Sequence, residues 1–337
     1  MVLSLNLGKD SYDIVVERGA LDRVGTYLSL NRKVLILTDS GVPRQYAEKV
    51  LSASKEGYIF TIEQGEKSKS FESYKDILSF MVEKSFTRGD CVVSVGGGVC
   101  GDLGGFVAST YMRGIDFYNV PTTLLSQVDS SIGGKVAVDF NGIKNIIGAF
   151  YQPKKVVIDS ETLKTLDKRQ TNAGLCESLK MGCTCNSRLF EIIENTDDLE
   201  KDMDEIIVES LKIKGDVVEK DPKEKSLRKV LNFGHTVGHA IEAVENGNLL
   251  HGECVGIGML YMCSAQVKGR IIKVLNRLGI GFSSEYRASE LMHYIERDKK
   301  AKGGLITVVY VNEVGTFELR DIEISQIKDY ISGDISK

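Results

Sequence analysis

The chain has 337 residues, of which 42% are hydrophobic and 27% are charged. This length allows two domains with substantial cores, and the composition is ordinary for a soluble globular protein. A formal net charge of -4 argues against a general nucleic-acid-binding protein. No run of about 18 uncharged apolar residues is present, so no membrane span is expected.

The N-terminus and the cysteines predict a cytoplasmic location. The first residues lack the basic region and apolar block of a signal peptide, and seven cysteines in such a chain indicate reduced thiols. Cys183 and Cys185 form a C-x-C pair, but no second pair at zinc-finger spacing follows. We therefore expect these two thiols to pack within a helix.

The first half of the chain alternates short β-branched runs with helical segments. Strands are predicted at 33–38 and 58–62, with a turn at 39–43 and a helix at 45–51 between them. A further buried strand at 91–95 leads into GGGVCGDLGG. This alternation predicts an α/β, Rossmann-like domain with an open, mostly parallel sheet and flanking helices.

From about Leu163 onward, helical periodicity replaces this alternation. Strand-like runs nearly vanish until 306–311. We therefore expect a sheet domain over 1–162, a mainly α-helical domain over 163–337, and a cleft between them. Helices are predicted at 177–183, 189–193, 206–220, 230–244 and 255–268.

Three of the four histidines lie in one segment, GHTVGHAIEAVENGNLLHGE. His235 and His239 are four residues apart in a predicted helix, so both imidazoles project from one face. His251 follows a turn-like stretch at 246–248 and can fold back toward them. Such a cluster predicts a metal or proton-transfer site, although spacing alone leaves the number of ligands open. A metalloprotease is not favoured, because no glutamate directly follows His235.

The glycines after the strand at 91–95 predict a phosphate-binding loop. Six of the ten residues at 96–105 are glycine, and they include the match Gly96-x-Gly98-x-x-Gly101. Glycine permits close approach of the backbone to a pyrophosphate, and a following helix points its N–H groups at the anion. The motif lies in the middle of the domain, unlike an ordinary Rossmann fingerprint. Asp39 and Asp102 are candidates for accepting ribose hydroxyls.

The stretch from 111 to 153 places charged and amide side chains among apolar and small residues. Charged groups in such surroundings are usually paired or bind a ligand, so we expect an anionic substrate. These side chains are Arg113, Asp129, Lys135, Lys144 and Asn145.

Several motifs along the chain share one resemblance. They are GGGVCGDLGGFVASTYMRGIDFYNVPTTLLSQVDSSIGGK, KNIIGAFYQP, GLCESLK, LNFGHTVGHAIE, HGECVGIGM and DKK at 298–300. Together they resemble the sugar phosphate cyclases, and among these the 3-dehydroquinate synthase family, over about 39 to 300.

The resemblance implies a catalytic zinc ion, for which Co²⁺ is a possible substitute, and a bound NAD. Glu177, His235 and His251 would bind the metal, leaving His239 as an acid/base or water-orienting group. Three protein ligands leave the metal open to substrate hydroxyls. The matching positions for NAD are Asp39, Glu66, Lys67, Gly97, Gly98, Val99, Asp102, Thr122, Thr123 and Lys144.

The implied reaction converts 3-deoxy-D-arabino-heptulosonate 7-phosphate to 3-dehydroquinate and phosphate, a step of the shikimate pathway of aromatic amino acid biosynthesis. It proceeds by transient oxidation by NAD, phosphate elimination, re-reduction and intramolecular aldol closure. Arg113 would reach the phosphate bound by a neighbouring subunit, which implies a homodimer. The other matching substrate positions are Asp129, Lys135, Asn145, Lys180, Lys214, Glu224, Arg228, Asn232 and Lys300.

Three alternatives remain open. Another sugar phosphate cyclase, such as a 2-deoxy-scyllo-inosose or valiolone synthase, would share zinc, NAD and the early chemistry, although Lys214, Arg228 and Asn232 favour a carboxylate-bearing substrate. A metal-dependent polyol dehydrogenase of the glycerol dehydrogenase type would release NADH. A zinc-stabilised binding protein would fold with metal and show no turnover.

Overall fold

The computed structural model describes residues 1–281, 286–299 and 304–332. The chain forms two compact units, Met1–Asp167 and Lys168–Lys337. Residues 163–167, which the sequence assigns to the second domain, belong to the first unit. They follow Thr162, which accepts a hydrogen bond from Gln127 Nε2 at 3.0 Å, and the hydroxyl of Thr165 lies 2.9 Å from that of Tyr46.

The first unit alternates strands and helices. In chain order its elements are β1 (Val2–Leu5), β2 (Tyr12–Val16), α1 (Val24–Tyr27), β3 (Lys33–Asp39), α2 (Arg44–Ala53), β4 (Glu56–Ile62), α3 (Phe71–Glu83), β5 (Cys91–Gly96), α4 (Gly98–Thr110), β6 (Asp116–Pro121), β7 (Lys135–Phe140), β8 (Ile143–Phe150) and β9 (Lys155–Ile158).

Seven of these strands form one sheet in the order β1-β2-β9-β6-β5-β3-β4. Every neighbouring pair is parallel except β1 and β2, which confirms the mostly parallel sheet. The chain adds β4 on one side of β3 and then β5 on the other, so the direction of sheet growth reverses between β3 and β5. In open α/β sheets, ligands bind beyond the carboxyl ends of the strands at such a switch point.

Strand β3, which lies between β5 and the edge strand β4, is buried on both faces. Val34 and Ile36 pack in the core cluster that includes α2, whereas Leu35 and Leu37 pack in the cluster that includes α3 and α4. A continuous apolar run of this kind is typical of a parallel strand covered by helices on both sides. The position of Asp39 at the carboxyl end of β3 is therefore fixed by a rigid core.

A two-stranded antiparallel hairpin of β7 and β8 lies outside the main sheet and is absent from the elements predicted above. Most residues of β8 are exposed. Its sequence therefore lacks the regular apolar alternation by which a strand is recognised.

The second unit is mainly helical, as predicted. Its elements are α5 (Lys168–Cys185), α6 (Ser187–Asn195), α7 (Leu199–Lys220), α8 (His235–Glu245), α9 (His251–Met259), α10 (Ala265–Arg277), α11 (Ala288–Lys299), β10 (Leu305–Tyr310), β11 (Glu318–Glu323) and α12 (Ile327–Ile331).

The single helix predicted over 255–268 is wrong, because a non-helical segment separates α9 from α10. Ser264 caps α10, its hydroxyl accepting from the N–H of Val267 at 3.3 Å. The N–H of Ser264 donates to Val311, and the N–H of Val311 donates to Met262. These pairings just beyond β10 hold the chain extended where the pattern alone suggested a continuous helix.

All seven cysteines are free, and Cys183 and Cys185 both lie in α5, which confirms them as helix thiols.

Within the described ranges, no helix combines the length and apolarity needed to cross a membrane.

Candidate metal centre and cofactor site

Three helices of the second unit bring one carboxylate and two imidazoles together. Glu177 lies in the middle of α5, while His235 and His251 are the first residues of α8 and α9. Oε1 of Glu177 lies 3.9 Å from Nε2 of His235 and 3.5 Å from Nε2 of His251. Ligands bonded at about 2.1 Å to a tetrahedral zinc ion are roughly 3.4 Å apart, so Oε1 of Glu177 lies close to ligand spacing from each of the two nitrogens.

The other nitrogen of each imidazole already has an acceptor. Nδ1 of His235 lies 3.2 Å from the carbonyl oxygen of Phe233, and Nδ1 of His251 lies 3.0 Å from Oε2 of Glu242. A proton on each Nδ1 satisfies these contacts and leaves the lone pair of each Nε2 facing Glu177. This is the tautomer that binds a metal through Nε2.

The two carboxylate oxygens of Glu177 have different surroundings. The residue is only 1% exposed, and its Oε2 accepts a hydrogen bond from Lys180 Nζ at 2.5 Å. Its Oε1 is buried and has no hydrogen-bond partner among the described residues. A buried acceptor left in this way costs about 1–3 kcal/mol, and a cation beside it would remove that cost.

His239 joins the same cluster, as its spacing from His235 predicts. The centroid of the His239 ring lies 5.4 Å from that of the His235 ring and 5.6 Å from that of the His251 ring. One nitrogen from each of the three rings can be chosen so that all three lie within 4.8 Å of one another. Burial and the charge of Lys180 hold the pKa of His235 well below its ordinary value, so that this imidazole is neutral near pH 7.

Close helix packing sets these positions. A Cβ atom on Gly252 would lie 2.0 Å from the carbonyl oxygen of Ala173, and one on Gly258 would lie 2.1 Å from that of Gly234. Only glycine therefore allows α9 to approach α5 and α8 so closely.

An ion pair adds a second tie between α5 and α9. The guanidinium of Arg169 donates to both carboxylate oxygens of Glu253, at 2.7 and 2.8 Å, and also to the carbonyl of Asn248. Glu253 in turn accepts from the N–H of Leu250, one residue before His251. These bonds order the turn that leads into the metal-site histidine.

Three predicted substrate cations of the second unit are buried. Lys180, Lys214 and Arg228 are 1%, 4% and 3% exposed. The guanidinium of Arg228 donates to the carbonyl of Pro222 at 2.9 Å. Lys180 donates to Glu177, so the buried charges of Lys180 and Arg228 are at least partly satisfied within the protein.

Three other predicted substrate residues belong to the second unit, and the structure describes two of them. Asn232 and Glu224 are bonded to each other, with Nδ2 to Oε1 at 2.9 Å. Lys300 lies outside the described residues.

Some of the predicted NAD residues of the first unit lie at the switch point of the sheet. Oδ1 of Asp39 accepts from the N–H of Gly41 at 2.8 Å, and Oδ2 lies 3.3 Å from the thiol of Cys100 at the start of α4. The N–H of Thr122 donates to the carbonyl of Gly96 at 2.9 Å, which joins the ends of β5 and β6. A cavity of about 360 Å³ opens beside Asp39.

The glycine-rich loop predicted at 96–105 is wrong in extent, because α4 begins at Gly98. Gly97 is the N-cap, and Val99 and Asp102 lie within the helix. A Cβ atom on Gly104 would meet the hydroxyl of Ser94 at 2.0 Å, so this glycine serves the packing of α4 on β5. Only the first glycines lie where a phosphate group could approach the helix N-terminus.

A lysine that the sequence did not single out, Lys69, lies two residues after the predicted Lys67 and is bonded to Asp102. Lys67 is exposed, whereas Lys69 is 5% exposed, with its Nζ 2.6 Å from Asp102 and 3.6 Å from Glu66. The available signal was the spacing of three residues from Glu66 to Lys69, which places the two on one side of a helical turn.

The remaining predicted residues of the first unit are spread over several elements. Asp129 lies in a π-helical turn, Ser126–Ser130. Thr123 is half-buried just after β6. Arg113, Lys135, Lys144 and Asn145 are exposed, and Arg113 and Asn145 have positive φ angles of 71° and 55°.

Solved structures with this fold include a cyclase and a dehydrogenase. A 2-epi-5-epi-valiolone synthase from Streptomyces hygroscopicus subsp. jinggangensis, with NAD⁺ and Zn²⁺ bound, is 25% identical over 97% of each chain, with a TM-score of 0.86. Glycerol dehydrogenase from Schizosaccharomyces pombe is 16% identical, covers 96% of this chain and 88% of its own, and has a TM-score of 0.58. The fold is that of the sugar phosphate cyclases.

Two family models and a curated relative narrow the class. Models for the 3-dehydroquinate synthase N-terminal and C-terminal regions match residues 59–173 and 174–301. The 3-dehydroquinate synthase of Streptococcus thermophilus is 39% identical over 98% of this chain and 99% of its own length. The chain belongs to the 3-dehydroquinate synthase family.

Proposed function

We propose that this chain is a carbon–oxygen lyase that converts 3-deoxy-D-arabino-heptulosonate 7-phosphate to 3-dehydroquinate and phosphate, and that it depends on NAD and a divalent metal. The observation that carries the metal part is the buried Oε1 of Glu177, which faces Nε2 of His235 and of His251. Membership of the family supports the substrate, a small phosphorylated sugar.

The donor set fits zinc. One carboxylate oxygen and two imidazole nitrogens are common zinc ligands and leave coordination positions open, and Co²⁺ accepts the same donors. When bound, the ion supplies Lewis-acid polarisation of substrate oxygens. Lys180 holds the carboxylate of Glu177 through its other oxygen, which fixes the direction in which Oε1 points.

The switch point of the sheet fits a dinucleotide. Asp39 is an acceptor for ribose hydroxyls, and Gly97 and Gly98 bring the N-terminus of α4 to where a pyrophosphate would lie. Bound NAD supplies reversible oxidation at carbon. The valiolone synthase, which was solved with NAD⁺ and Zn²⁺, supports this pairing of cofactors.

The substrate's two anionic groups need cations, and the protein's own residues can supply them. The buried side chains of Lys180, Lys214 and Arg228 are candidates for binding a carboxylate or phosphate. His239, on the same helix as His235, is a candidate for moving a proton or orienting water. A homodimer in which Arg113 reaches a neighbouring subunit, and a cytoplasmic location, remain predictions from the family resemblance.

The function is tested by mixing the protein with NAD, Zn²⁺ and the heptulosonate phosphate. We expect one phosphate released for each 3-dehydroquinate formed, no accumulation of NADH, and loss of turnover on chelation that added Zn²⁺ reverses. Absence of phosphate release with both Zn²⁺ and Co²⁺ would overturn the proposal. Accumulation of NADH with a polyol would favour the dehydrogenase alternative instead.

A further inference from the structure

Glu242 contacts the nitrogen of His251 that points away from Glu177. Its Oε2 lies 3.0 Å from Nδ1, while Nε2 of the same ring lies 3.5 Å from Oε1 of Glu177. The two nitrogens of an imidazole point in diverging directions. The ring of His251 is therefore held between two carboxylates, one at each nitrogen.

Helix α8 supplies Glu242 from the face that carries the other histidines. His235, His239 and Glu242 are at positions i, i+4 and i+7, which share one side of a helix. His251 belongs to the next helix, α9, so the contact joins the two helices at the metal centre. The side chain of Glu242 is 19% exposed, which limits competition by water.

The two metal-site histidines differ in how they are held. Nδ1 of His235 faces a backbone carbonyl, that of Phe233, and its side chain is 14% exposed. The side chain of His251 is 35% exposed and follows the turn through Asn246 and Gly247, both with positive φ. His251 thus has a less buried ring next to a sharp turn, and a charged side chain instead of the backbone orients it.

We propose that Glu242 is a positioning residue, which fixes the ring orientation and tautomer of His251 so that Nε2 is presented to the metal. This inference rests on the proposed metal centre. A carboxylate that accepts the other N–H of a ligand histidine keeps its proton off the coordinating nitrogen and raises that nitrogen's basicity. Loss of such a partner typically weakens metal binding by about 10–100-fold.

The test compares three full-length variants, Glu242→Ala, Glu242→Gln and the control Glu245→Ala. Glu245 lies on the same helix and accepts a hydrogen bond from Tyr286 at 2.7 Å, so its loss also removes a charge and a contact from α8. Zinc affinity is measured on metal-free protein by competition with a chromophoric chelator, and the Co²⁺ absorption spectrum reports ligand geometry. Thermal unfolding of the metal-free proteins checks that each variant folds.

We expect Glu242→Ala to weaken zinc binding by about 10–100-fold and to alter the Co²⁺ spectrum. Glu242→Gln should retain most of the affinity, because its amide oxygen still accepts from Nδ1, and Glu245→Ala should bind zinc like the unaltered protein. The inference is overturned if Glu242→Ala binds zinc normally, or if the glutamine variant loses as much as the alanine variant.

Two further outcomes are also decisive. If the alanine variant fails to fold, the glutamine variant and its Co²⁺ spectrum carry the test, and a spectrum as strongly altered as after loss of a ligand would contradict the positioning role. If the unaltered protein binds no zinc, the metal centre itself is contradicted. Normal zinc binding by the unaltered protein and by Glu242→Ala together would contradict only the role of Glu242.

Discussion

Glu177 uses its two carboxylate oxygens for different purposes. Lys180 neutralises one of them within α5, and the other faces Nε2 of His235 and His251. An ion pair this deeply buried is expensive to assemble, and removing one partner leaves an uncompensated charge. The pair is best explained as support for a cation site, because the second oxygen would otherwise remain unsatisfied.

The three histidines are predicted to divide between metal binding and catalysis. Replacing His235 by alanine should abolish zinc retention, because it removes a nitrogen beside Oε1 of Glu177. Replacing His239 by alanine should leave zinc bound and lower kcat by about 10²–10⁴-fold, the usual contribution of a general acid or base. Zinc content after gel filtration and steady-state kinetics distinguish the two variants. Equal loss of zinc from both would show that this division is wrong.

At the scale of single residues, the sequence identified the histidine cluster because an i, i+4 pair is a local pattern. It could not show the partners of Nδ1 in His235 and His251. The first depends on the backbone turn at Phe233, and the second on the packing of α8 against α9, which brings Glu242 to His251. Nor could the sequence show that Lys69, two residues after the predicted Lys67, pairs with Asp102, since that contact depends on burial.

Helices α5, α8 and α9 meet through glycines, so the geometry of the metal centre depends on backbone contact. Gly258 of α9 lies against the carbonyl of Gly234, and Gly252 lies against that of Ala173. The sequence predicted these helices by their periodicity, but helix α9 was extended too far. The hydrophobic pattern could not show the backbone hydrogen bond between Ser264 and Val311, which lies in the non-helical segment after α9.

A matched pair of glycine substitutions tests this packing. Gly258→Ala should lower the free energy of unfolding by about 1–3 kcal/mol and weaken zinc binding, because the new methyl group forces α9 away from α8. Gly269→Ala in the exposed part of α10 meets nothing within 4 Å and should raise that free energy by about 0.4–1 kcal/mol. Urea titration measures both. Equal effects of the two substitutions would contradict the packing argument.

At the scale of the whole chain, alternating strands and helices predicted the first unit, and helical periodicity predicted the second. The strand order around β3 was not predictable, because it depends on which side of the sheet each crossover takes. That order matters most for function, since it puts Asp39 beside Gly96, where β5 leads into α4. The β7–β8 hairpin was missed because β8 is largely exposed and carries no apolar alternation.

The central claim is that one divalent ion is bound by Glu177, His235 and His251. Anomalous diffraction at the zinc edge, on crystals grown with Zn²⁺, tests it most directly. We expect one strong peak at about 2.0–2.2 Å from Oε1 of Glu177 and from Nε2 of both histidines. A peak coordinated by the three histidines without Glu177, or no peak at this position, would contradict the account.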